Sequence, residues 1–291
     1  MAENIKIQLS DNFEPVSQED VNKAKRYILR RESAARGLSS LIDALLEDAA
    51  EKITLIAYRY GVDPMNFQIS PNYNEKMFEE IGQVLDELEE EILDLTTSYA
   101  TKCTEDKDKK PLLLLWVLAL GKNNQGLRKT LENRLWMFSR DLEAMIVAAK
   151  TANMDATKAV TVIKGYLHTV FQMPGMTAAF KNATLYKATY IRSKGVKYGN
   201  QGNSNSEANN IGRFAKQTVQ LGWMHFRYEM EKEQGAVGFW VGRGSSYPCQ
   251  LCDSYTGFHQ IDDIDAYPPR HGSCCCWAVP IFEKDINDLT L

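Results

Sequence analysis

The chain has 291 residues, 44% of them apolar and 25% charged, and a formal net charge of −4 at pH 7. That balance excludes a disordered or collagen-like chain and is enough for one large globular domain or two modest ones without a disulfide framework. The opening MAENIKIQLSDNFEP lacks the apolar stretch of a secretory signal. The longest apolar run, Leu112 to Leu120, reaches about half of what a bilayer span needs, so it is expected to be a buried helix and no membrane partner is expected.

Taken in chain order, most of the sequence has helical periodicity. Ser17-x-x-Asp20 forms a capping box, with Asp where Glu or Gln is usual, and opens a helix through Val21, Ala24, Ile28 and Leu29. Gly37 is expected to end it. A second helix, about 38–60, carries Leu41, Leu45, Ala49, Ile53 and Ile56 on one stripe, and Gly61 and Pro64 stop it. Pro71 and Asn72 precede a long helix through Met77, Ile81, Leu85, Leu88, Ile92 and Leu95, whose other face, from Glu79 to Asp94, is acidic and is read as solvated.

After a polar loop, 104–110, come the apolar helix from Pro111 and another over about 124–151, with Trp116, Trp136, Met137 and Met145 as core residues. Cys103 is read as a packing residue, and His168, among Val162, Ile163, Leu167 and Phe171, as a partnered core histidine. One or two helices are expected over 155–197 with an interruption at Pro174-Gly175, followed by a flexible loop at 199–206. The stretch 150–236 is basic while both flanks are acidic; evenly spaced lysines on helices are first a solvated face, and Lys187, Arg192, Lys194 and Lys197 are the candidates for contact with DNA. A helix over about 207–234 then leads through Gly235 to a strand at 236–241, and a second strand at 277–282 is placed at a sheet edge by Pro280.

Five of the six cysteines lie in the last fifty residues. Cys249-x2-Cys252 and His271-x2-Cys274-Cys275-Cys276 flank the loop 253–270, in which residues 255–263 form a hairpin-like excursion and Pro268 and Pro269 stiffen the return. Two short-spaced donor pairs brought together across a loop can surround one tetrahedral Zn²⁺. The expected ligands are Cys249, Cys252, His271 and Cys274, with Cys276 as the substitute. Cys274 and Cys276 share one face of an extended segment and Cys275 faces away. More donors than one ion needs favour a closed, structural site over a catalytic one, and no catalytic or cofactor-binding residue is assigned. His259 with Asp262, Asp263 and Asp265 is the weaker alternative site.

The expected architecture is mainly α: an elongated multi-helix body over 1–235 and a small β-containing zinc-knuckle module over 236–291. Within that module Trp240-Val-Gly, Pro248-Cys-Gln-Leu-Cys252, Gly257-Phe-His-Gln-Ile-Asp-Asp263, Pro268-Pro-Arg-His-Gly-Ser-Cys-Cys-Cys276 and Val279-Pro280 follow in the order of the C-terminal signature of the phage Mu F-like minor head proteins. The chain resembles that family over about residues 207–282. It departs from the family at Gly272, where Pro is common, at Cys275, where Arg is usual, and in Gly242-Arg-Gly-Ser-Ser. The resemblance implies a non-enzymatic component of a phage or prophage head, found in the virion or the host cytoplasm. It would act near the portal in capsid assembly or DNA entry, with portal and other head proteins as partners and no small-molecule substrate. The alternative is a metal-dependent nuclease of the His-Asn-His type, since such enzymes also pair Cys-x2-Cys knuckles with histidine, and His259 would then be the base.

Overall fold

A computed structural model describes residues 16–120, 125–168, 206–246, 248–270 and 274–283. The expected break at Pro174-Gly175, the glycine- and asparagine-rich loop up to 205, and Lys187, Arg192, Lys194, Lys197 and His271 lie outside the described residues. The fold is mainly helical with a small antiparallel sheet near the C-terminus. The helices are α1 (Gln18–Tyr60), α2 (Glu75–Thr101), α3 (Lys109–Ala119), α4 (Gly126–Thr151), α5 (Ala156–Tyr166), α6 (Glu207–Glu233) and the single turn α7 (Gln250–Asp253). The strands are β1 (Ala236–Gly242), β2 (Gly257–Gln260) and β3 (Trp277–Phe282). Among the described residues no helix is long and apolar enough to cross a membrane.

The chain divides into two compact units: residues 34–222, and residues 1–33 together with 223–291. The sequence boundary at 235 marks where helix gives way to strand, whereas the second unit also takes in the first part of α1 and the last part of α6.

In the unit 34–222, α2 packs on α3 and α4, and α4 on α3 and α5. Asn74 caps α2 by accepting the Met77 amide at 3.0 Å, and Asp155 caps α5 by accepting the Lys158 amide at 2.8 Å, each satisfying a first-turn donor that has no partner within the helix. The acidic face of α2 is not wholly solvated: Glu89 is buried, and Arg128 from α4 bonds both Glu89 and Glu90. His168 is a partnered histidine, with Nδ1 3.2 Å from Asn209 Oδ1 and its carbonyl accepting from the Asn209 amide. Burial pushes the Cys103 thiol up to about 12, far from the reactivity of a nucleophile.

Four expectations are corrected. Gly37 does not end a helix: α1 runs unbroken from 18 to 60, with buried Ala35 and Leu38 on either side of Gly37. A mid-helix glycine costs about 1 kcal/mol, which buried neighbours on the same stripe outweigh. Its buried stripe is Leu38, Ile42, Leu46, Ala49, Ile53 and Ala57, so Leu41 is exposed; adjacent apolar pairs at 41–42 and 45–46 let either register satisfy the periodicity. The run Leu112–Leu120 is not buried all round. Leu113 and Val117 face the core while Leu112 (70%) and Leu115 (66%) are open to solvent, because a helix packed along one side buries only one stripe of a continuous apolar run. Met137 is exposed for the same reason, one position from the stripe of Leu135 and Phe138, while its neighbour Trp136 stacks on Phe78.

In the second unit the start of α1 lies on the sheet. Ser17 Oγ accepts the Asp20 amide at 3.1 Å and donates to the Asp20 carboxylate at 2.6 Å, a capping box closed through the two side chains. Val21, Ala24 and Ile28 pack with Trp277 and Val279, and Leu29, on the opposite side, is exposed. The α6 helix is followed by a turn at Gly235, whose φ of +84° favours glycine, and β1 begins at the next residue. The strand order is β2-β1-β3, both pairings antiparallel, so β3 with Pro280 lies at an edge.

Candidate metal centre

The cysteines are carried by two different pieces of local structure. Cys249 stands at the N-terminus of α7, its carbonyl accepting the Asp253 amide at 2.9 Å, and Cys252 sits within that turn. Cys274 and Cys276 lie on the extended approach to β3, where alternate side chains share a face. Cys252, Cys274 and Cys276 are buried, and Cys275 between the last two is exposed.

The sulfurs of Cys252, Cys274 and Cys276 all lie within 4.8 Å of one another, and the Cys252 and Cys274 sulfurs are 3.8 Å apart. Such a group could hold a metal ion, and it is the one group of three or more His, Cys, Asp or Glu donors so arranged among the described residues. The Cys249 thiol, half-buried, lies near enough to Cys252 to push that thiol up. Cys276, the substitute donor by sequence, therefore stands inside the cluster together with Cys252 and Cys274.

Electrostatics within the cluster favour the ionised state at one sulfur. The thiol of Cys276 holds the Cys274 sulfur well below the usual thiol range against the opposing effect of burial, with the backbone amides of Arg270 and Cys276 adding to the effect. Burial and then the Cys249 thiol push Cys252 up; the contact with Cys274 and then burial push Cys276 up. The Cys274 sulfur is thus biased toward ionisation by the neighbouring thiol protons directed at it. A metal cation is the species that takes the place of those protons, because coordination deprotonates each thiol it binds.

Three features that periodicity and spacing did not single out hold this cluster. Arg31, in the first part of α1, donates from Nη2 to the Cys274 carbonyl at 2.8 Å. Arg243 donates to the Cys249 carbonyl and pairs with Asp253, close enough to Cys252 and Cys276 to feel their charge. Gly242 and Gly244 permit contacts that no Cβ would survive: one added at Gly242 would lie 2.0 Å from the Trp277 ring, and one at Gly244 would lie 1.7 Å from the Cys275 carbonyl oxygen. The Trp277 indole meanwhile donates to the Arg243 carbonyl at 3.0 Å. For Arg31 a signal existed, since it continues the buried spacing Ala24, Ile28, Arg31, Ala35; an arginine on an apolar stripe marks a buried polar partner elsewhere in the chain.

Compared with known protein families, with curated proteins and with solved structures, the chain matches none.

The second candidate site is not built for a metal. His259 Nε2 donates to the Tyr255 carbonyl at 3.0 Å, Nδ1 lies 2.9 Å from Asp263 Oδ2, and the ring stacks on Phe239. With both nitrogens and one face engaged, His259 braces the turn after β2 against the sheet.

Proposed function

We propose that the protein is a structural, non-enzymatic minor head protein of a phage or prophage, acting near the portal in capsid assembly or DNA entry, with Zn²⁺ as a structural crosslink. The observation that carries the structural part is the buried trio of sulfurs from Cys252, Cys274 and Cys276, with Cys249 beside them. Thiolate donors in a tetrahedral set favour zinc over the harder divalent cations, and a set closed by protein ligands leaves no position for a reacting water. Cys252, Cys274 and Cys276, with Cys249 or His271 as the fourth donor, would hold the ion, which supplies a rigid tie between α7 and the approach to β3. The head assignment draws on the ordered resemblance from Trp240 to Pro280. The engaged nitrogens of His259 weigh against its use as a nuclease base.

Metal analysis of protein purified under reducing conditions is expected to find one zinc per chain. Sedimentation with the portal protein of the same phage is expected to show association. A metal-free native chain removes the crosslink, and failure to associate removes the head assignment. Plasmid cleavage with Mg²⁺ or Mn²⁺ that disappears in His259→Ala would replace both with a nuclease. Salt-dependent retention on DNA, weakened by neutralising Lys187, Arg192, Lys194 and Lys197, tests contact with packaged DNA.

A further inference from the structure

Arg31 is the largest of the fully buried side chains, 1% exposed, and its surroundings are unusual for a cation. Its Nη2 donates both to the Cys274 carbonyl at 2.8 Å and to Glu32 Oε1 at 3.2 Å, while its Nε is buried with no hydrogen-bond partner. A buried guanidinium is costly unless its charge is matched and its donors are used. Of the groups that its hydrogen bonds reach, Glu32 is the one that carries a charge. Around a divalent cation the thiols become thiolates, and three or four of them leave the centre with a net negative charge. Arg243, near Cys252 and Cys276, is already paired with Asp253.

We propose that Arg31 is a positioning residue of the metal centre: it fixes the Cys274 carbonyl, and with it the stretch bearing two of the sulfurs, and it supplies the buried positive charge that offsets the metal-bound thiolates. The inference rests on the metal reading above. It assigns α1 a part in metal binding although Arg31 is 243 positions from Cys274. Glu32, on this account, competes with the centre for the guanidinium.

The test uses the full chain, with Zn²⁺ affinity measured by competition against a chromophoric chelator and the donor set read from the spectrum of the Co²⁺-loaded protein. Arg31→Met is expected to weaken Zn²⁺ binding by about 10- to 100-fold, the range for outer-sphere partners of metal ligands, with the thiolate-to-cobalt bands retained. Arg31→Lys restores most of the affinity. Glu32→Gln, which leaves the cation in place and removes its competitor, is expected to tighten binding by roughly threefold; a purely structural Arg31 gives no such gain, and this variant decides the matter if Arg31→Met does not fold. The proposal is overturned if Arg31→Met binds Zn²⁺ within about twofold of the native chain, if Arg31→Lys is as weak as Arg31→Met, or if Glu32→Gln leaves affinity unchanged or lowers it. A native chain that binds no zinc overturns the metal reading itself, a different result from a native chain that binds zinc without help from Arg31.

Discussion

Tyr267 donates its hydroxyl to Glu231 Oε2 at 2.8 Å, and Arg227 Nε holds the other carboxylate oxygen of Glu231 at 2.7 Å, so the loop before the metal centre is bolted to the end of α6 through a buried ion pair. Arg227 also donates to the Ala278 carbonyl of β3, and Tyr267 packs edge-on against Phe239 of β1. Burial raises the Glu231 carboxyl, an effect that Arg227 and Tyr267 oppose. Removing one donor should therefore cost more than a surface contact would. Tyr267→Phe is expected to destabilise this unit by about 1–3 kcal/mol. Glu231→Leu leaves Arg227 buried without its partner and is expected to cost about 3–5 kcal/mol. Urea unfolding followed by tryptophan fluorescence, to which Trp223, Trp240 and Trp277 in this unit contribute, measures both.

The sheet, the order of its elements and the two cysteine pairs were legible because each has a local cause: Gly235 stops α6, alternation makes β1, Pro280 consigns β3 to an edge, and Cys-x2-Cys makes a tight turn. What escaped was long-range or degenerate. Two registers of α1 satisfy the same periodicity, since Leu41 and Ile42, and Leu45 and Leu46, are interchangeable as apolar residues. Gly242 and Gly244 are legible as glycines, but the Trp277 ring and the Cys275 carbonyl that require them arrive from thirty residues further on. Spacing marked Cys252 and Cys274 as donors and Cys276 as a substitute, and these three stand together; which donors stand closest depends on a backbone path that spacing does not define.

The rotation of α3 yields a contrast between neighbours. Leu113 is 4% exposed and Leu112 is 70% exposed. Leu113→Ala is expected to cost about 2–5 kcal/mol through the lost transfer energy and the cavity left behind, and Leu112→Ala to change stability by no more than about 0.5 kcal/mol. Equal effects in thermal or urea unfolding would show that the helix is turned differently.

Asp141 makes the unit 34–222 sensitive to pH. It is buried, accepts the Glu207 backbone amide at 2.8 Å, and burial pushes it up to about 7, with the nearby Glu207 carboxylate adding to the rise. Between about pH 4, where an unfolded aspartate ionises, and about pH 7, the folded protein keeps a proton that the unfolded chain has lost. Its contribution to stability is full below that window and falls as pH rises through it, by on the order of 4 kcal/mol in total. Asp141→Asn keeps an acceptor for the amide and has nothing to ionise. The difference in unfolding free energy between variant and native chain is expected to grow in favour of the variant from pH 4 to pH 7 and then level off; a flat difference would show that Asp141 titrates normally.

Two glycine substitutions separate steric need from mere occupancy. Gly82, inside α2, has nothing within 4 Å of an added Cβ, so Gly82→Ala is expected to stabilise by about 0.5–1 kcal/mol through the entropy of the unfolded chain. Gly244→Ala forces the Cys275 backbone away, since a carbonyl oxygen at 1.7 Å cannot yield as a side-chain end can. It is expected to cost about 1–3 kcal/mol and to weaken Zn²⁺ binding with it. Chelator competition on the folded variant checks the second effect: unaltered affinity would mean that the 242–246 loop does not support the thiol cluster.

Withdrawing the metal tests what holds the sheet together. The strands are short, and β2 has no buried residue in its four positions. The loop 253–270 is tied down by side-chain bonds to the end of α6, such as Tyr228 to the Ile261 carbonyl at 2.6 Å, and by whatever joins Cys252 to Cys274 and Cys276. If a metal provides that joint, its binding energy is part of the folding energy of this unit. A strong chelator under reducing conditions is then expected to lower the unfolding temperature of the unit and shift its tryptophan emission, while the far-ultraviolet helical signal, which comes largely from α1 to α5, persists. Added Zn²⁺ should reverse both changes and added Mg²⁺ should not, because thiolates bind the harder ion poorly. A chain that keeps its unfolding temperature through complete removal of zinc holds its sheet by packing and hydrogen bonds alone, and the cysteine cluster then has no structural duty to perform.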